Sequence, residues 1–243
     1  MWVDASHLYH FYNSRLGKLV KRSVSLCLKE FSSPVMPQDT VVSYGYGFPY
    51  LEQTLGKTNR TLFLMPSSLG AFSWPLGQKN LTCLCERDSI PLPTRSVHKL
   101  LITHALEFTR DIEGLLQEAW RVLVEGGELI IIAPNRRGIW ARSVDTPFGC
   151  GHPYSGNQLF SLVEAQGLIP IENPTYCLFY PPFLSPLKSP KTLLRLEKTG
   201  RKWCKKLGGL VYIRAEKRVV ATTSSQSSGL KARIFQTPSF ANE

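Results

Sequence analysis

Gly45 and Gly47 stand two residues apart in Ser43-Tyr44-Gly45-Tyr46-Gly47-Phe48-Pro49-Tyr50, directly after an apolar run. A residue without a side chain lets the backbone turn sharply and approach a ligand closely. Pro49 occupies the place where a G-x-G-x-x-G fingerprint approaches its third glycine, which argues against a nicotinamide site. His104 follows another apolar run, and an imidazole with a pKa of about 6.5 can take a proton from a hydroxyl or amine. Beyond Asn135 comes a long segment rich in Gly, Pro, aromatic and ionisable residues, from Arg136 to Tyr154, that reads as a substrate lid. In it Arg136 and Arg137 can clamp a carboxylate or phosphate, Asn135 and Trp140 border the same loop, and His152 or Tyr154 can act as base. Cys83 and Cys85 alternate on one strand with no Cys or His partner at zinc spacing, so no metal site is expected. The sequence has no G-x-S-x-G elbow and no Walker loop, which excludes the commonest hydrolase and nucleoside triphosphatase readings.

These residues need a scaffold. Apolar positions Leu8, Phe11, Tyr12, Leu16, Leu19, Val20 and Val24 recur at helical spacing after Asp4, predicting one or two helices interrupted near Gly17. Residues 40–47, 60–66, 81–86 and 97–104 read as strands. Ile112, Leu115, Leu116, Ala119, Trp120 and Leu123 form a helical stripe that Gly126-Gly127 stops. The continuous run 128–135 suits a parallel strand buried on both faces. A further helix over 155–168 and two late strands, Thr175 onward and Leu210 onward, complete an α/β pattern. The expected fold is a doubly wound sheet with helices on both faces and an antiparallel edge pair near the C-terminus, its ligand lying outside the carboxyl ends of the strands. The expected organisation is a helical cap over 1–35, the α/β domain over 36–221 and a disordered tail over 222–243.

The order of elements, with three short motifs, resembles the class I S-adenosylmethionine-dependent methyltransferases, particularly the branch with quinone-biosynthesis methyltransferases. The motifs are Ile90-Pro91-Leu92-Pro93, His104-Ala105-Leu106-Glu107 and Arg121-Val122-Leu123-Val124-Glu125-Gly126-Gly127. The resemblance covers about residues 36–170 and is most specific over 90–135. It implies a Rossmann-like sheet and S-adenosylmethionine as cofactor, held near Ser43, Gly45, Tyr46, Gly47, Met65, Glu86 or Asp88, and His104. Ser43 stands where the family carries an acidic residue, Pro49 replaces its third glycine, and Met65-Pro66 replaces its ribose-binding carboxylate. A charge-assisted hydrogen bond contributes about 1.5–3 kcal/mol, so each lost anion weakens binding by roughly tenfold to a hundredfold. Tyr44, Tyr46, Phe48 and Tyr50 offer aromatic faces to a sulfonium. The implied reaction is methyl transfer to a small anionic or aromatic acceptor, positioned in line with the methyl group. On this reading Gly45→Val blocks the cofactor without unfolding the domain.

Composition sets the remaining bounds. The chain has 243 residues, 43% of them hydrophobic, enough to bury a full core, and no apolar run long enough to span a bilayer. No export leader is recognisable and six scattered cysteines suggest reduced thiols, so a cytoplasmic protein is expected. Between Lys188 and Arg218 eleven Lys or Arg face only Glu197 and Glu216, which concentrates most of the chain's net charge of +11. That stripe can hold RNA, an anionic lipid surface or an acidic partner. The competing reading is therefore a non-catalytic protein of the same fold that binds RNA or an acidic partner through 188–218; an RNA methyltransferase would use both features.

Overall fold

The computed structural model describes residues 3–31, 34–58, 60–86, 89–184, 189–204 and 206–218. Asp4 begins helix α1 (Ala5–Asn13) by accepting the His7 amide at 2.8 Å, a side-chain cap for an otherwise unpaired donor. Ser14 ends it, and α2 (Arg15–Phe31) follows at once. The break expected at Gly17 is therefore at Ser14. Gly17 lies inside α2, where a Cβ would sit 1.9 Å from the Phe11 carbonyl oxygen, so its lack of a side chain serves close packing of the two helices.

Among the described residues one sheet of eight strands follows. Strands β1 (Thr40–Gly45), β2 (Arg60–Pro66), β3 (Thr82–Cys85), β4 (Val97–Thr103) and β5 (Leu123–Pro134) are parallel, in the order β3-β2-β1-β4-β5. Beyond β5 lies β8 (Leu210–Lys217), antiparallel to it and to β6 (Leu168–Pro170) and β7 (Thr175–Cys177). The antiparallel pairing expected of the two late strands is present. It extends to β6, three residues long and too short for its periodicity to show.

Alternation along the strands divides the core into two layers. Val42, Tyr44, Leu100, Ile102, Leu129 and Ile131 pack beneath α4 (Ile112–Val122) and α5 (Gly156–Ala165). Phe63, Met65, Leu101, Ile130 and Ile132 pack on the other face with Leu8, Val20 and Val24 of α1 and α2, the short α3 (Phe48–Leu51), and Leu193 of α6 (Pro190–Trp203). Helices thus cover both faces, and the segment expected as a cap shares that second layer. The tail beyond 218 lies outside the described residues.

Helix α4 passes into β5 without a loop, and Gly126-Gly127 lies within the strand rather than at the helix end. Lys217 makes that passage feasible. Its buried ammonium donates to the carbonyls of Trp120 at 2.7 Å and Leu123 at 2.8 Å and lies 3.9 Å from the Trp120 ring centroid. Arg121 ties the same helix to the Pro-Leu-Pro segment, donating to the carbonyls of Ile90 and Leu92, each at 2.9 Å. Glu128, on the central β5, accepts from Lys99 at 2.9 Å and from Arg214 at 2.6 Å, joining β4, β5 and β8 through one buried carboxylate. Removing it leaves the buried Lys99 ammonium facing the half-buried Arg214, which keeps Glu172 at 3.4 Å. Glu128→Ala is expected to lower stability by about 3–5 kcal/mol, read as a shift in the urea midpoint.

Candidate functional site

The strand order reverses between β1 and β4, where a crevice opens at the carboxyl ends of doubly wound sheets. The Gly45–Gly47 turn forms one wall of it, with the Tyr46 amide donating to the Thr103 carbonyl at 3.0 Å. His104 forms the other. Its backbone is left-handed at φ 52°, a conformation uncommon for a residue with a side chain.

The crevice is full. The Tyr46 ring stacks on Tyr12 of α1, centroids 5.6 Å apart and planes 12° apart. Phe48 packs against Phe63 at 4.7 Å, Trp74 at 5.1 Å and Phe72 at 5.2 Å. Phe148, from the expected lid, lies over the His104 ring at 5.0 Å. The Ala5 amide donates to the Leu69 carbonyl at 2.8 Å, closing the start of α1 onto the residues after β2. Between Val3, Pro66, Leu69, His104 and Ala105 there remains a void of about 10 Å³, room for a single water. Sites for nucleoside-sized ligands run to about 300–1,000 Å³. The residues present therefore leave no space for an adenosyl group in this conformation.

What fills the crevice is polar at its centre. Tyr12 Oη lies 2.6 Å from Tyr50 Oη and 2.7 Å from His104 Nε2, and His104 Nδ1 lies 3.5 Å from the buried Glu107 carboxylate. Burial, with the neighbouring Tyr50 next in effect, raises the Tyr12 pKa well above that of a free phenol. Burial likewise raises Tyr46 and Tyr50. These hydroxyls stay protonated, and Tyr12 of α1 can relay a hydrogen bond between Tyr50 and the imidazole.

The expected site residues separate accordingly. Tyr46 and His104 meet in the crevice, 6.4 Å between ring centroids. Ser43 is buried beneath the turn and Met65 in the core, so neither faces a ligand there. Tyr44 belongs to the opposite core layer. Gly45 and Gly47 are accounted for by the chain's own packing. A Cβ at Gly45 would lie 2.1 Å from the Thr103 carbonyl oxygen, and one at Gly47 2.0 Å from Ser43 Oγ. Glu86 is exposed beyond β3, and Asp88 lies outside the described residues. Trp140 is buried and donates to the Tyr180 carbonyl at 2.7 Å, so it supports the loop and does not present to substrate. Asn135 is buried too, donating to the carbonyls of Gly208 at 2.6 Å and Lys206 at 3.0 Å, which makes it a strut. Tyr154 donates to the Leu106 carbonyl at 3.2 Å, and burial pushes its pKa up to about 12, which unsuits it as a base near neutrality. Arg136, Arg137 and His152 are exposed. Beside the filled crevice a cavity of about 350 Å³ opens between α1 and residues 144–150, lined by Val3, His7, Phe11, Leu16, Pro147 and Cys150. Phe72 and Trp74 carry no sequence signal, and the sequence shows Tyr12 only as an apolar helix position and Glu107 only as the end of a motif. The His104–Glu107 spacing of three residues was the one available sign of their pairing.

Residues 71–131 match the family model described as "Methyltransferase domain". No curated protein matches the chain. Among solved structures, an S-adenosylmethionine-dependent methyltransferase from Archaeoglobus fulgidus is 16% identical, with a TM-score of 0.61 over 88% of this chain and 100% of that one. A possible histamine N-methyltransferase from Thermotoga maritima is 17% identical, with a TM-score of 0.57 over 88% and 96%. Geranyl diphosphate C-methyltransferase from Streptomyces coelicolor A3(2), solved with Mg2+, geranyl diphosphate and S-adenosyl-L-homocysteine, is 16% identical, with a TM-score of 0.55 over 80% and 77%. The chain thus shares its fold with S-adenosylmethionine-dependent methyltransferases, and residues 71–131 carry the sequence pattern of a methyltransferase domain.

Two measurements probe the filled crevice. Gly45→Val, which the sequence suggests is harmless to folding, forces a branched side chain into the β4 backbone at φ 89° and is expected to lower the melting temperature by more than 10 °C or to prevent folding. The buried phenols ionise less readily folded than unfolded, so the stability they lend is whole below pH 10 and drains as pH rises toward 12. Absorbance at 295 nm is expected to show the late tyrosinate fraction appearing together with loss of near-UV circular dichroism.

Proposed function

We propose that the chain transfers a methyl group from S-adenosylmethionine to a small anionic or aromatic acceptor, and that the described form is its shut state. The observation that carries this reading is the place of α1, which lies across the crevice at the strand-order reversal of a methyltransferase sheet. With α1 withdrawn, Tyr12 leaves with it and Tyr46 gains room to turn aside. The cofactor would then meet the Gly45–Gly47 backbone, with Glu86 or Asp88 toward its far end. The cavity beside α1 is the acceptor's place, its apolar wall suited to an aromatic body; Asp145 lines it too, and Arg136 and Arg137, the groups suited to an anion, stand exposed at the end of β5 outside its lining. Nothing in methyl transfer from a sulfonium demands an enzymic nucleophile; His104 is the group placed to hold the acceptor's proton.

Closure has a thermodynamic cost for the ligand. Exposing Leu8 and Tyr12 costs about 1.5–3 kcal/mol each, so a cofactor that binds only the open form loses roughly two to four orders of magnitude in apparent affinity. A second reading, a non-catalytic protein of this fold, is favoured by the ring packing itself and by both glycines serving internal contacts. Calorimetric titration of S-adenosylhomocysteine separates the two. The Tyr12→Ala/Tyr46→Ala variant, folded by circular dichroism, is expected to bind at least tenfold more tightly than the unaltered chain. No heat from either protein at millimolar ligand would establish the non-catalytic reading.

A further inference from the structure

The basic stretch from Lys188 to Arg218 is not one surface. Arg214 and Lys217 are committed to the Glu128 carboxylate and to the end of α4, and Arg218 pairs with Glu216 at 2.9 Å. Most of what remains outward among the described residues is carried by α6, with Lys206 exposed just beyond it. Lys191, Arg195, Lys198 and Lys202 are all exposed, and their spacing of four, three and four residues sets them within about 60° of one another around a helix of 3.6 residues per turn. Among the described residues no ion pair joins these four to an acid.

Beside the cationic stripe runs an apolar one. Leu196 is 38% exposed and Trp203 77%, with the Lys202 ammonium 5.8 Å from the Trp203 ring centroid. Phe183, just ahead of the helix in the chain, is 64% exposed, and Leu207, just after it, is 56% exposed. The opposite side of α6 is fixed. Leu193 is buried, and the buried Glu197 accepts the amides of Leu178 at 2.9 Å and Phe179 at 2.8 Å. At Gly200 a Cβ would lie 2.3 Å from Phe179 Cβ, so the helix is seated as closely as a helix can be. The helix is anchored inward by one acid, and outward it presents the four cations, Leu196 and Trp203, with Thr192 and Thr199 between the two strips.

We propose that α6 is an interfacial anchor for an anionic lipid bilayer, Trp203 and Leu196 entering the boundary between headgroups and acyl chains while the four cations sit among lipid phosphates. This pairing of an exposed aromatic and aliphatic strip with snorkelling lysines suits a bilayer, which supplies both anion and hydrocarbon. RNA would use the cations and the Trp203 ring, but leaves Leu196, Leu207 and Phe183 without a partner. The segment after α6 is bound through Asn135 to the end of β5, on the edge of the sheet where the crevice lies, so the same contact brings that edge to the lipid surface. The inference holds whichever reading of the crevice is right.

Sedimentation with sucrose-loaded vesicles tests it, using the full chain. Binding is expected to vesicles of phosphatidylcholine and phosphatidylglycerol in equal parts, to weaken with added salt, and to be lost on phosphatidylcholine alone. A cation near such a surface contributes about fivefold in partitioning, so Lys198→Glu/Lys202→Glu, both exposed, is expected to reduce binding by more than tenfold with the melting temperature unchanged. Brominated acyl chains are expected to quench fluorescence in the unaltered chain and not in Trp203→Ala. Absence of binding to the mixed vesicles overturns the proposal, as does equal binding by the charge-reversed variant. Salt-sensitive binding of single-stranded oligouridine without vesicle binding overturns it in favour of RNA.

Discussion

A phenol buried away from water must find a hydrogen-bonding partner, and Tyr12 finds two across the crevice, Tyr50 and His104. That shared hydrogen bond links α1, the turn after β1 and the turn after β4, elements that come together only when the chain is fully folded. Much else follows from it. His104 takes a left-handed backbone while its Nε2 meets the phenol, Tyr46 lies flat on the Tyr12 ring, and Phe148 of the next loop covers the imidazole. The crevice of this sheet is thereby a cluster of Tyr12, Tyr50, His104 and Glu107 set among rings, and α1, a helix of nine residues, helps to fill it.

Most of the scaffold was legible because its signals are periodic. The stripe from Ile112 to Leu123 and the Ile-rich run after it could pack in few other ways, and the resemblance over 90–135 has a physical basis in Arg121, which ties the proline segment to the helix. The misplaced boundaries lie at glycines. The sequence suggests an interruption near Gly17 and a helix stop at Gly126-Gly127, whereas Gly17 relieves crowding between two helices and Gly126, at φ 74°, turns the start of a strand. Spacing reveals that a side chain is missing, but not which atom would have met it.

The site was less legible for the same reason. Gly45 and Gly47 promised a ligand at close range, yet the close neighbours are Thr103 and Ser43. Tyr12 was visible only as one more apolar position in a helical stripe, because its partner lies 92 residues away. Charge was misleading in bulk and informative in detail. The basic stretch divides into groups that hold the sheet together and groups that face out, and only burial separates Lys217 from Lys198.

The two glycines carry one more consequence. If backbone crowding alone enforces them, selection for a foldable chain preserves the letters of a nucleotide-binding turn long after any nucleotide has ceased to visit. Counting such turns across genomes then tallies an architectural inheritance together with any working pockets.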